Sequence, residues 1–257
     1  MEKGRFKLFL MLLSLITLTF ILLPIIKLIT TPSVKDIINV LKDPKSLNAI
    51  FNSIVFSLIS STIGILIGTP LSYLMAKGHF GKFEKFIEAI TDIPLATPHT
   101  VAGIALLLVF GRDGLIGGLL YKSFSIRLLG TGFAVVVAML FVSIPFIINN
   151  IREGFKSINP SLEKASYNLG ATFIHTFFFI DIPLVKSHIL SGFFSSWARA
   201  ISEFGAVIII AYYPMTAPIK IYDAYTQYNL QTSIAIAASL LIISLILFAI
   251  LKIVSGR

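Results

Sequence analysis

Six apolar runs constrain this chain more than any other feature of its sequence. A helix needs about 20 apolar residues to cross ~30 Å of hydrocarbon, and such runs lie at about 8–26, 50–76, 94–110, 132–148, 189–212 and 233–251. The runs are continuous and do not alternate apolar with polar, so they predict helices and not a barrel. Composition agrees, since only 13% of the 257 residues are charged and 56% are apolar. A soluble globule of this size could not cover its surface with so few charges. The expected fold is an all-α membrane protein, a single transmembrane domain over 1–257 with the lipid bilayer as its solvent.

A net charge of +9 raises the question of nucleic acid, but the 21 Lys and Arg are scattered singly and form no basic run or helix face. Nucleic acid is therefore not an expected partner. Cysteine is absent, which excludes disulfides and thiolate metal sites. Lys3, Arg5 and Lys7 before the first run also open like a signal peptide. That run is too long, and Leu22-Leu23-Pro24-Ile25 offers no small-x-small cleavage site, so an uncleaved first span is expected. Counting basic residues on alternate sides gives 12 (Lys3, Lys77, Arg152 and Arg257 among them) against 7. This bias places both termini in the cytoplasm. The sequence contains no internal repeat. Alternating-access carriers rock two related halves about one path, so a six-span unit without a repeat calls for a second copy on a two-fold axis.

The longest polar connection, 150–190, joins the fourth and fifth runs. Within it, Asn159 is a good N-cap, Pro160 suits the first helical position and Gly170 is placed to stop the helix. These signals predict a helix of about ten residues, ~15 Å long, too short to span and marginal alone in water. It either rests on its own bundle as a connector or docks into another protein, with Ala165 and Ser166 small enough for close approach.

The fifth run contains Arg199 and Glu203, four residues apart and so on one helix face. Ionisable groups at membrane depth pair with one another or line a wet cavity. They are read either as an ion pair locking the bundle or as a gate. In the third run Pro94 and Pro98 each remove a helical hydrogen bond, so its start is expected to be kinked or unwound. His99 stands beside that break without metal-ligand spacing. Tyr212, Tyr213, Tyr222, Tyr225 and Tyr228 cluster between the fifth and sixth runs, as an interfacial aromatic belt would. The chain has no Gly-x-x-x-x-Gly-Lys-Ser/Thr phosphate loop and no His-Glu-x-x-His pattern. It is not expected to be an enzyme, and energy for any transport must come from a partner or an ion gradient.

Gly170, nine residues and Ile180-Asp181-Ile182-Pro183 resemble the cytoplasmic "EAA" loop of permease subunits of ATP-binding-cassette importers. Lys164-Ala165-Ser166 stands where that family has Glu-Ala-Ala, with the acid one place earlier at Glu163. The stretch from Ala198 to Ala206 is similar to permeases for tetrahedral oxyanions. Asp92–Ala105, Met139–Pro145 and Ala211–Met215 resemble the molybdate/tungstate branch in particular.

The resemblance implies a type I importer permease fold, working in a prokaryotic cell membrane as a homodimer. It implies a coupling helix that includes Glu163, Lys164, Ala165, Ser166, Leu169 and Gly170. Two ATPase subunits would dock there and bind the ATP and Mg, leaving this chain without a cofactor. An oxyanion-binding protein would dock outside. The implied pathway and gate residues are Pro98, His99, Thr100, Arg199, Glu203 and Gly205. A sulfate importer of the same build, an ion-gradient-driven carrier using Arg199 and Glu203, and an intramembrane enzyme are the alternatives.

Overall fold

The computed structural model describes residues 2–227 and 229–254. Tyr228 and Arg257, named above in the tyrosine cluster and the charge count, lie outside them. Every regular element among the described residues is helical, and six helical segments are long and apolar enough to span a membrane. The chain forms two compact units, one made of the chain up to Ile50 and from Lys220 onward, the other of Phe51–Ile219.

The first unit contains α1 (Glu2–Thr30), α2 (Val34–Lys42), the opening turns of α3 (Pro44–Ala76) and α13 (Leu230–Val254). The apolar span of α1 buries none of its length within this chain, as suits a helix whose solvent is lipid. α2 starts on a capping box: the Ser33 hydroxyl accepts from the Asp36 N–H, and the Asp36 carboxylate accepts from the Ser33 N–H at 3.0 Å. The Ser33 hydroxyl and backbone together hold the Asp36 carboxyl below the ordinary aspartate range.

The second unit is built around α7 (Gly132–Lys156). Val135, Ala138, Met139 and Val142 of α7 pack with Ala102 and Leu106 of α5 (His99–Phe110) and with Ala206, Val207 and Ile210 of α11 (Gly205–Ile210). Further along α7, Ile147, Ile151 and Phe155 form a second core with Tyr73 of α3 and Val185 of α10 (Ile182–Ile201). Small residues set these approaches, as expected where lipid supplies no hydrophobic drive between helices. At Gly192, for example, an added Cβ would lie 3.3 Å from the Ile147 Cα.

α4 (Glu84–Ala96) precedes α5, and α6 (Leu115–Phe124) follows it. Beyond α7 come α8 (Pro160–Asn168) and α9 (Phe173–Thr176). A π-helical turn at Phe177–Asp181 then joins α9 to α10. α12 (Ala217–Thr226) leads out of this unit.

Two segments differ from the spans read in the sequence. The fifth run was expected as one helix over 189–212. Its helix instead begins earlier, stops at Ile201, and resumes as α11 at Gly205. The break is chemically supported, because the Glu203 carboxylate takes over a backbone partner at the new start, accepting from the Ala206 N–H at 2.8 Å. The third run, expected over 94–110, contains Pro94 inside α4 without interruption and breaks at Thr97–Pro98. Thr97 is extended (φ −82°, ψ 125°), as the residue before proline prefers.

Candidate functional site

The two helix breaks meet. α5 starts at His99 with Pro98 before it, and α11 starts at Gly205 with Glu203 before it. At Gly205 a Cβ would fall 2.6 Å from the His99 Cβ, and at Gly103 it would fall 3.0 Å from the Ala206 Cα. Glycine at both positions lets α5 and α11 cross almost backbone to backbone.

Three ionisable side chains converge at this crossing. Arg199 Nη2 donates to Glu203 Oε2 at 2.6 Å, and the same nitrogen lies 2.8 and 3.0 Å from the two ring nitrogens of His99. His99 Nδ1 is also 3.2 Å from Glu203 Oε2. Exposure decreases stepwise across the group, from 51% for the His99 side chain through 22% for Arg199 to 1% for Glu203. One guanidinium thus holds a buried carboxylate while keeping an accessible side, beside an exposed imidazole and the exposed Thr100. Such an arrangement can present positive charge to an anion without leaving Glu203 unpaired. Helix spacing placed Arg199 and Glu203 on one face; the structure brings His99 and Gly205, both named by the resemblance, to that pair from 100 and two residues away.

The second cluster surrounds α8. Asn159 Oδ1 accepts from the Ser161 N–H at 3.0 Å, and Gly170 closes the helix in the left-handed region at φ +85°. Its six candidate residues divide by direction. Glu163 turns inward to Lys77 Nζ at 2.7 Å, and the buried Ser166 hydroxyl meets that of Thr176 at 2.8 Å. Lys164, Ala165, Leu169 and Gly170 face outward, with Leu169 89% exposed. Outward-facing Leu162 and Tyr167 extend this apolar face. Two residues hold the helix from behind, and the rest are exposed.

Sequence reading missed the supports of that helix. Lys77 lies just beyond α3, Asp181 closes the π turn fully buried, and Tyr73 meets Phe155 and Phe177 edge-on at 5.1 and 5.0 Å. Nor did it find the tie between α4 and α7, where Arg152 meets Glu88 at 2.8 Å and Asn149 donates to Asp92 at 2.9 Å. Each pair is separated by more than fifty residues, and no local pattern marks it.

A bundle of broken spans with a short, outward-facing helix between its fourth and fifth spans is the fold of membrane subunits from ATP-binding-cassette importers. The chain superposes on a bacterial ABC transporter involved in the import of the acidic polysaccharide alginate, with a TM-score of 0.76, 17% identity, and coverage of 99% of this chain and 96% of that one. The family model described as "binding-protein-dependent transport system inner membrane component" matches residues 68–257, and the chain belongs to this family. It is a multi-pass inner-membrane subunit of a transport system and not an enzyme.

Among relatives, the molybdate/tungstate transport system permease protein WtpB of Methanocaldococcus jannaschii is 39% identical over 91% of this chain and 90% of its own length. The protein of the same name from Pyrococcus furiosus is 41% identical over 84% of this chain and 81% of its own.

Proposed function

We propose that the chain is the permease subunit of an ATP-driven molybdate/tungstate importer, two copies of which enclose the path. The match along nearly the whole chain to molybdate/tungstate permeases carries this reading. In it both termini are cytoplasmic, and α8 lies on the cytoplasmic side as the coupling helix. Two ATPase subunits, which bind ATP and Mg, receive the outward face of Ala165, Leu169 and Gly170. A binding protein delivers the oxyanion on the opposite side.

Pro98, His99, Thr100, Arg199, Glu203 and Gly205 line the path at the crossing of the two broken helices. Half-helix ends at membrane depth are where transporters handle ions, and the Arg199 guanidinium supplies the donor fork that suits an oxyanion. ATP binding closes the ATPases, draws the two α8 helices together and turns the path outward. Hydrolysis then reopens it inward.

The decisive experiment is the native mass of the complex purified through a tag on this chain. The expected mass is two copies of this subunit plus two of an ATPase. Leu169→Asp is expected to release the ATPase while leaving the permease pair intact, because that side chain is 89% exposed and packs on nothing within its own chain that the fold needs. The purified complex should take up molybdate or tungstate only with ATP, and excess sulfate should not compete. A particle of this chain alone that transports without ATP would overturn the reading in favour of a gradient-driven carrier.

A further inference from the structure

The stretch between α5 and α7 carries charge that the proposed path does not use. It holds Arg112, Lys122 and Arg127 against a single acid, Asp113. Arg112 Cζ lies 4.4 Å from the centre of the Tyr121 ring, and Arg127 Cζ lies 5.7 Å from the same point. Two guanidiniums therefore gather on one ring, and all three basic residues are exposed. Among the described residues no carboxylate lies within ion-pair reach of any of them. The face of the ring offsets part of the repulsion between like charges. An anion is the partner this grouping lacks.

The position of α6 says which anion. Phe110, the last residue of α5, meets Phe133 at the start of α7, with ring centres 6.2 Å apart. The chain thus leaves α5 and enters α7 at the same end of the bundle, the end away from α8. α6 has ten residues, about 15 Å of helix, and sits at that end without spanning. Its buried side is glycine, and at Gly117 an added Cβ would run into the carbonyl oxygens of Phe110 and Gly111. Its other side exposes Leu115, Leu119 and Phe124 at 77%, 69% and 70%. An apolar face, basic residues at its rim and a tyrosine beside them mark a helix lying in the headgroup layer. Membrane spans precede and follow α6, so a bilayer surface is at hand to cover that face. With the termini inside, this is the outer surface, where basic residues are sparse, and three of them need a local reason.

We propose that α6 is a lipid-binding helix: Leu115, Leu119 and Phe124 enter the acyl boundary, and Arg112 and Arg127 hold the phosphate of an anionic phospholipid beside Tyr121. Guanidinium forks suit phosphate oxygens, and a phospholipid brings acyl chains for the neighbouring apolar face. A free oxyanion in water satisfies the charges and leaves that face bare. The site depends on the spans alone, not on the cargo or on the role of α8.

The test reconstitutes the tagged complex in equal parts phosphatidylglycerol and phosphatidylcholine, re-extracts it, and counts the retained lipids by native mass spectrometry. Wild type is expected to keep phosphatidylglycerol in preference to phosphatidylcholine. Arg112→Gln with Arg127→Gln removes two surface charges, each contributing about fivefold, so retention should fall about thirtyfold. Lys35→Gln with Lys42→Gln removes as much charge from the exposed side of α2 and should leave retention unchanged. Equal losses in the two double variants would reduce the effect to general attraction and overturn the proposal. Displacement of the lipid by excess inorganic phosphate would overturn it as well, by assigning the cluster to free anions.

A spin label at Leu119→Cys, in a chain that has no cysteine of its own, gives a second measurement with both arginines in place. In vesicles oxygen should reach the label and a water-soluble nickel chelate should not. Ready access by the chelate would put α6 in water. Exclusion of both would bury it beneath a second copy or a binding protein, and either result overturns the proposal.

Discussion

Gly205→Val is expected to abolish uptake in a chain that still inserts and still binds its ATPase. Even a single Cβ there would sit 2.6 Å from the His99 Cβ and 3.4 Å from the His99 carbonyl carbon and the Thr100 nitrogen. All three atoms lie on or next to backbone, so no side-chain rotation relieves the clash. The start of α5 must move away from α11. Overpacking of this kind costs about 1–3 kcal/mol, felt in the core that α5 and α11 share with α7, while the second core around Ile147, Ile151 and Phe155 is untouched. The charged group tolerates less, since its contacts of 2.6 to 3.2 Å depend on that crossing. Substrate uptake set beside the melting temperature separates these effects. Uptake near the wild-type rate would remove the crossing from the path.

Arg199→Ala carries the second large effect, first on stability. It removes the guanidinium from a carboxylate that is 1% exposed, leaving Glu203 with the Ala206 N–H and a histidine whose charge depends on protonation. Removing one member of a buried pair costs about 3–5 kcal/mol, mostly from the charge left behind. The double variant Arg199→Ala, Glu203→Gln should therefore recover much of the lost melting temperature, because no unpaired charge remains. Uptake should stay lost in both, since neither retains a donor fork. Arg199→Lys keeps the charge but offers a point donor in place of the fork, and is expected to hold the fold with reduced uptake. A double variant that transports normally would make Arg199 and Glu203 a structural lock.

The sequence reveals whatever is encoded over one turn or one span. Six apolar runs give six spans, and Asn159, Pro160 and Gly170 mark α8 because capping chemistry is local. Pro98 announces the break before α5 for the same reason, although Pro94 looks equivalent and is absorbed within α4. The break between Ile201 and Gly205 has no proline. It depends on Glu203 capping the next helix and on His99 packing against Gly205 from 106 positions earlier, which no window of sequence contains. The inward turn of Glu163 is hidden likewise, because Lys77 lies 86 residues before it. Spacing predicts which residues share a helix face; it does not say what the other side of that face meets.

The π turn at Phe177–Asp181 has a consequence for angle as well as for chemistry. A wide turn holds one residue more than an α-helical turn of similar rise. Removing that residue, and so restoring ordinary helix, would rotate everything before it by about 100° and draw it in by ~1.5 Å relative to α10. Ser166 and Thr176, both ahead of the turn, would move together, and the apolar face carrying Leu169 would point a quarter-turn away from its present direction. The extra residue acts as a phase setting: it fixes the compass bearing on which the fifth span presents α8, independently of how firmly α8 is attached.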